Sequence, residues 1–272
     1  MGTLSTPDEI ALLRAHDIAR VRAPNPGPYT LSGTNSWIIG RDPAYLIDPG
    51  PAIAEHLDAL LVELAGRGGL AAILLTHRHR DHSEGAPELS ARTGAPIAAS
   101  TGAPIAASSG APVGASSGEH QIELADGDRI GPLTALATPG HASDHLAFVA
   151  GRVCFSGDTV LGEGSVFIAP DPGSLTGYLA ALRRLRELDL ELIAPGHGPL
   201  VTDPAAKLDH YLAHRLARER RVLEALSAGL RDREQLLDRV WPGLSPELRP
   251  IARATLEAHL GKLAEEGRLP DG

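Results

Sequence analysis

Cysteine is nearly absent. The single Cys154 among 272 residues excludes an internal disulfide and fits a reducing, cytoplasmic setting. Long apolar runs are missing too. No window approaches the roughly 18 to 20 uncharged apolar residues of a membrane span, and the N-terminal MGTLSTPDEI has no apolar signal core. A membrane partner is therefore not expected. Positive charge is in short supply, since the net charge is −9. Residues 1–204 hold 13 basic and 23 acidic side chains, whereas residues 205–272 hold 12 and 11. The acidic first part argues against a broad nucleic-acid-binding face. Lysine is rare beside arginine while Ala, Gly and Pro abound, a composition that fits a GC-rich bacterial genome.

An apolar fraction of 43% is ordinary for a globular chain and allows a sizeable core. SWIIG (36–40) and AYLID (44–48) read as short strands around the turn signal RDP. PAIAEHLDALLVELAGRGG has helical periodicity and a glycine stop, and LAAILLT (70–76) reads as a strand buried on both faces. EGAPELSART is helical. TGAPIAAS then occurs at 93–100 and 101–108, with SGAPVGAS at 109–116. Three eight-residue copies are too short for a solenoid; a slipped duplication is expected, with one copy forming a strand and the rest a surface loop. Strands broken by turns return over 133–160, a helix over 174–188, and a strand in LELIAPGHGP. From Asp203 the pattern is almost all helical: one long helix and two more, in the outline of a small winged-helix module. This change of period predicts a catalytic domain over 1–203 and a helical module over 204–272.

The chemistry concentrates in ILLTHRHRDHSEG, just past a strand's C-terminal end, where open α/β sheets usually build their sites. Imidazole and carboxylate are ordinary zinc ligands, and no cysteine is required. His77, His79, Asp81 and His82 cannot all meet one ion, because neighbouring Asp81 and His82 point to a second place. His141 in TPGHASDH, Asp158 in FSGDTV and His197 in APGHGP each follow an apolar run and have an adjacent glycine that lets the chain turn sharply. With Asp158 bridging, His77, His79 and His141 hold one metal, and Asp81, His82 and His197 the other, a water or hydroxide between the ions completing both. Asp48 and His145 are candidates for supporting the ligands from behind; Asp144 is left open between support and surface. His16, His56, His120, His210, His214 and His259 carry no expected chemistry.

THRHRDH, TPGH, SGDT and PGHG resemble, in that order, the motifs of the metallo-β-lactamase superfamily. The resemblance implies an αββα sandwich and a dinuclear zinc site. SGTNSWIIG, FSGDTVLGEGS, APGHGPLVTD and the HRLARE helix before a winged-helix-like tail are similar to the β-lactamase-like protein 2 family, which includes an endoribonuclease acting on single-stranded RNA. Two departures stand out: the triple repeat, and a tail that ends soon after EEGRL with little chain for a wing. The tail is therefore expected to pack or dimerise rather than read DNA.

The implied activity is hydrolysis by two zinc ions, which acidify a bound water and stabilise the oxyanion, with Asp81 and Asp158 as the catalytic carboxylates. A bridging aspartate goes with the phosphodiesterase and thioesterase branches of the superfamily, so a phosphodiester of the single-stranded RNA type, or a small molecule, is the expected substrate. The alternative is a glyoxalase II-like thioesterase, although no CGHEYT-like segment is present. A true β-lactamase and a non-enzymatic zinc-stabilised regulator rank lower. A homodimer is compatible with all of these.

Overall fold

In the computed structural model, which describes residues 7–101 and 121–269, two sheets stack face to face between layers of helices. The chain opens with α1 (Pro7–Ala15), which the sequence pattern does not announce. The first sheet runs in chain order through β1 (Ile18–Arg22), β2 (Asn35–Ile39), β3 (Ala44–Ile47), β4 (Leu70–Leu74), β5 (Ile97–Ser100) and β6 (Gln121–Leu124). β1 to β3 are antiparallel; β3 to β6 are parallel. The crossover from β3 to β4 carries α2 (Ala54–Ala65), and that from β4 to β5 the pair α3 (Arg80–Ser83) and α4 (Ala86–Thr93). The first repeat copy closes α4 at Thr93, turns at the left-handed Gly94, and supplies β5. The later copies lie outside the described residues, apart from Thr101.

The second sheet has the order β11 (Leu192–Pro195), β10 (Val153–Gly157), β9 (Leu146–Ala150), β8 (Leu133–Ala137), β7 (Arg129–Ile130). Between β10 and β11 lies α5 (Ser174–Arg186). Strand alternation sorts the side chains into layers. Trp37, Ile47, Leu74, Phe148 and Phe155 meet between the sheets. Their neighbours Ile38, Leu46 and Ile73 face outward and pack with Leu57, Leu60 and Leu89 of the first helix layer. Ala147, Cys154 and Ile193 face the other way and pack with Leu179 and Leu182 of α5. This is the expected αββα sandwich. Cys154 belongs to its outer layer, and burial pushes its thiol up to about 12, so it is an inert core residue.

The C-terminal part comprises α6 (Pro204–Ser227), α7 (Arg233–Val240), a 3₁₀ turn (Pro246–Leu248) and α8 (Arg249–Glu265). Asp203 caps α6 by accepting the Ala206 N–H at 3.0 Å, and Pro204 opens its first turn. This helix is shared. Its first half sends Leu208 and Tyr211 into the α5 layer; its second half sends Val222, Ala225 and Leu226 into a separate core with α7 and α8. Among the described residues, no helix is long and apolar enough to cross a membrane.

Candidate active site

β3, β4, β8, β10 and β11 all run in one direction within their sheets, and the loops at their C-terminal ends meet on a single rim. Those loops carry Asp48, the His77–His82 motif, His141, Asp158 and His197. Two backbone bonds stitch the sheets together beneath the rim: Leu146 N–H to the Thr76 carbonyl and Asn35 N–H to the Gly196 carbonyl, each 2.7 Å. The Asn35 side chain adds bonds to the Pro195 and Gly198 carbonyls at 3.0 and 2.9 Å, holding the loop that carries His197.

The structure brings all seven proposed ligands together. His77 Nε2 lies 2.9 Å from His79 Nδ1, which lies 3.0 Å from His141 Nε2. His82 Nε2 and His197 Nε2 are 3.2 Å apart, with Asp81 Oδ2 at 3.2 Å from His197. Asp158 joins the groups, its Oδ2 3.5 Å from His141 Nε2 and its Oδ1 3.5 Å from both His82 and His197 Nε2. Oδ1 is buried and accepts no hydrogen bond. One detail corrects the sequence reading. The motif is not wholly a loop: Arg80–Ser83 forms a helical turn, and about 100° between successive residues on a helix is what sends Asp81 and His82 in different directions.

Hydrogen bonds set the ring orientations. Asp48 is the hub: it accepts the Thr76 N–H at 2.8 Å, the Thr76 hydroxyl at 2.7 Å and His82 Nδ1–H at 2.8 Å. With its proton committed to Asp48, Thr76 Oγ1 accepts from His77 Nδ1–H at 3.0 Å. His141 Nδ1–H donates to the Phe167 carbonyl at 3.0 Å, and His197 Nδ1 lies 3.5 Å from the Gly33 carbonyl. Each of these four rings therefore turns its Nε2 toward the centre, while His79 presents Nδ1. His145 is the second supporting residue. Its Nε2 accepts the Asp158 N–H at 3.1 Å and its Nδ1–H donates to Thr138 Oγ1 at 2.8 Å. Burial holds this imidazole down at about 3, so it stays neutral in that role. Asp144, left open by the sequence, accepts the Arg78 N–H at 3.0 Å and pins the motif. Thr76, Thr138 and Asn35 had no sequence signal beyond their neighbourhood. His56, expected to be bland, is buried beside Ser36 and the Pro49 carbonyl, where it braces the turn after Asp48. His120 lies outside the described residues.

The electrostatics are those of a site built for cations. Burial pushes Asp81 up, but His82 and His197 outweigh it and hold the carboxyl at about 2. Burial pulls His197 down, but Asp158 and Asp81 outweigh it and raise it to about 9. Burial likewise opposes charge on His82, and Asp158, Asp48 and Asp81 override it. The carboxylates thus recruit protons onto imidazoles, the place a dication takes. The sets His77–His79–His141 and Asp81–His82–His197 each converge closely enough to hold an ion. A tetrahedral ion with bonds of 2.0–2.1 Å needs ligand atoms about 3.3 Å apart, close to the spacings within both sets.

A cleft of about 450 Å³ opens from His141 and Asp158 toward the C-terminal helices. Tyr29, Leu161, Val166 and Phe167 line one side, and Trp241 and Ile251 the other. His214, also expected to be bland, lines it from α6.

Comparison with known proteins agrees with this geometry. The family model described as metallo-beta-lactamase superfamily matches residues 29–197, and that of the beta-lactamase associated winged helix domain matches residues 233–270. The β-lactamase-like protein 2 homologue of Caenorhabditis elegans is 32% identical over 218 residues, 77% of this chain and 70% of that protein. The atrochrysone carboxyl ACP thioesterase nsrC of Aspergillus novofumigatus is 33% identical over 219 residues, 79% of this chain and 64% of that protein. A metallo-β-lactamase family protein of Thermus thermophilus superposes with a TM-score of 0.71 at 24% identity, covering 92% of this chain and 94% of that one. A protein solved in a di-iron-bound form gives a TM-score of 0.53 at 27% identity, over 69% of this chain and 96% of that one.

Proposed function

Because the chain belongs to the metallo-β-lactamase superfamily of metal-dependent hydrolases, we propose that it hydrolyses an ester or thioester carbonyl whose acyl group is apolar. The observation that carries this reading is the cleft. It is continuous with His141 and Asp158, and Tyr29, Leu31, Phe167, Trp241, Leu244 and Ile251 line it. Its two arginines are engaged elsewhere: Arg215 donates to the Val166 carbonyl, and Arg218 to the Val240 carbonyl at 2.8 Å. These two guanidiniums share the lining with the acidic Asp158 and Glu163, and no lysine joins them, so the cleft is not a cationic track for a polyanion. From sequence alone the phosphodiester reading leads; the cleft reverses the order. The thioesterase activity named for the similar nsrC protein supports the reversal.

His77, His79 and His141 would hold one ion, Asp81, His82 and His197 the second, with Asp158 shared. Zinc fits nitrogen and carboxylate donors without cysteine; iron is the competitor, given the similar protein solved with two irons. When bound, the ions supply Lewis acidity toward the carbonyl oxygen and a nucleophile drawn from water at neutral pH. The chain's own residues do the rest. Asp48 and Thr76 lock the rings of His82 and His77. His145 fixes the Asp158 backbone. Asp81, held anionic at about 2, is too weak a base to carry the proton; it would accept a hydrogen bond from the attacking water and orient it, and the leaving sulfur or oxygen would take its proton from solvent. The apolar cleft walls exclude solvent from the acyl group.

A second reading has one observation in its favour. The Arg218 guanidinium lies 4.8 Å over the Trp241 ring, a platform on which a nucleobase could stack. A turnover screen of metal-loaded protein separates the readings. It compares an arylacyl thioester, S-lactoylglutathione, nitrocefin, bis-p-nitrophenyl phosphate and short single-stranded RNA. The arylacyl thioester should turn over fastest; preferential cleavage of the phosphodiesters would overturn the proposal.

A further inference from the structure

The C-terminal module is tied to the catalytic layers by one continuous helix. Along α6, Tyr211 packs in the α5 layer and Arg215 reaches the Val166 carbonyl in the loop that forms the near side of the cleft. One turn further on, Arg218 donates to the Val240 carbonyl at 2.8 Å and covers the Trp241 ring at 4.8 Å. One more residue on, Glu219 meets Lys262 of α8 at 2.7 Å, with both side chains buried. A helix is stiff over so short a span, so the contacts of Arg215, Arg218 and Glu219 hold the two sides of the cleft at a fixed separation. Trp241, Leu248 and Ile251 therefore form a far wall facing Phe167 and Tyr29, not an appendage beside the site.

Two of these wall residues are unusually open to solvent. Tyr29 is 65% exposed and Leu248 52% exposed, one on each side of the cleft. Both side chains line the same cleft and leave apolar surface there open to solvent. The volume, about 450 Å³, lies within the range of small-molecule pockets.

We propose that the C-terminal module is a specificity element: Trp241, Leu248 and Ile251 form the distal wall of an acyl-binding subsite that takes a flat, aromatic acyl group against Phe167 and Tyr29, with its carbonyl at His141 and Asp158. The proposal rests on the ester or thioester reading above and assigns the module a task different from DNA reading or dimerisation. Arg218 fixes the Trp241 indole, so the platform is pre-organised before the substrate arrives.

The test uses the full chain with Leu248→Ser, which alters an exposed side chain and leaves the cores intact, and Trp241→Ala. Turnover of acetyl and naphthoyl thioesters is compared. In both variants the ratio of kcat/KM for the naphthoyl substrate to that for the acetyl substrate should fall at least about tenfold. Binding of 2-naphthoate to the metal-free protein, followed by calorimetry, should weaken in parallel. Equal behaviour of wild type and Leu248→Ser in both measurements would overturn the proposal. If no thioester is hydrolysed by wild type while naphthoate binds and both variants lose it, the subsite stands and the hydrolytic reading falls.

Discussion

Asp48 Oδ2 lies 2.8 Å from Nδ1 of His82, although 34 residues separate them in the chain. The same carboxylate accepts both the N–H and the hydroxyl of Thr76, so one buried side chain orients two imidazoles. Asp48 sits in the left-handed region with φ of 52°, a conformation asparagine also tolerates. Asp48→Asn should therefore fold. It should weaken metal binding by about 10- to 100-fold, the usual cost of losing a carboxylate behind a ligating histidine. Competition with a chromogenic chelator reads this directly, and an unchanged affinity would remove Asp48 from the machinery.

Asp158 faces both ligand sets through different oxygens. Elemental analysis of fully loaded protein should find two metal ions per chain. Asp158→Ala removes a ligand from each, so occupancy should fall below two and the rate by about 10² or more. Asp81→Ala should spare the His77–His79–His141 set and lose the other ion first. A stoichiometry fixed at one in the wild type would end the two-metal reading.

Metal uptake should release protons. Without a cation, Asp158 and Asp81 overcome burial and raise His197 to about 9, and His82 stands well above its ordinary value. At neutral pH both rings must lose a proton before they can ligate. Apparent affinity should therefore rise with pH up to about 9. Calorimetry in buffers of different ionisation enthalpy gives the proton count, and a heat independent of buffer would contradict it.

His259 of α8 is fully buried, and neither ring nitrogen has a hydrogen-bond partner. Burial, reinforced by Arg215, lowers it to about 3. The unfolded chain binds this proton near 6.5, so stability is unaffected above that pH and is lost progressively as pH falls from 6.5 toward 3. The loss is on the order of a few kcal/mol. His259→Leu should flatten the pH dependence of the melting temperature across that window. An unaltered slope would place the acid sensitivity elsewhere.

Much of this was legible in the sequence because it is written locally. The apolar run 70–76 followed by His77, His79, Asp81 and His82 announces a strand and its metal-binding end together. Asp48 was readable because it ends the run AYLI as β3 ends. What stayed hidden depends on contacts distant in sequence. Asn35 acts on carbonyls 160 and 163 residues away, and no spacing rule links them. His214 and Trp241 look like ordinary helix and helix-end residues until α6 is seen to carry them to the cleft. α1 and β1 carry little sequence signal because Pro7–Ala15 is short and Ile18–Arg22 mixes two arginines into an edge strand.

Gly196 separates the fold from the site most cleanly. A Cβ built there would stand 2.7 Å from Asp158 Oδ1 and 2.7 Å from His82 Cε1. Real side chains do not pack so closely, so one of the two must move. Gly196 is absent from the positive-φ glycines, and its N–H bonds to the Gly157 carbonyl at 2.9 Å, a bond alanine keeps. A third contact, 3.2 Å to the Gly157 carbonyl carbon, is tight but asks the backbone to give only slightly, so the methyl group would chiefly spread the ligands around the shared carboxylate. Gly196→Ala should melt within a few degrees of wild type in the metal-free state. It should nevertheless fail to retain two ions, and its turnover should fall with occupancy. Full metal loading with wild-type turnover would mean that His82 and Asp158 need not hold the positions seen here.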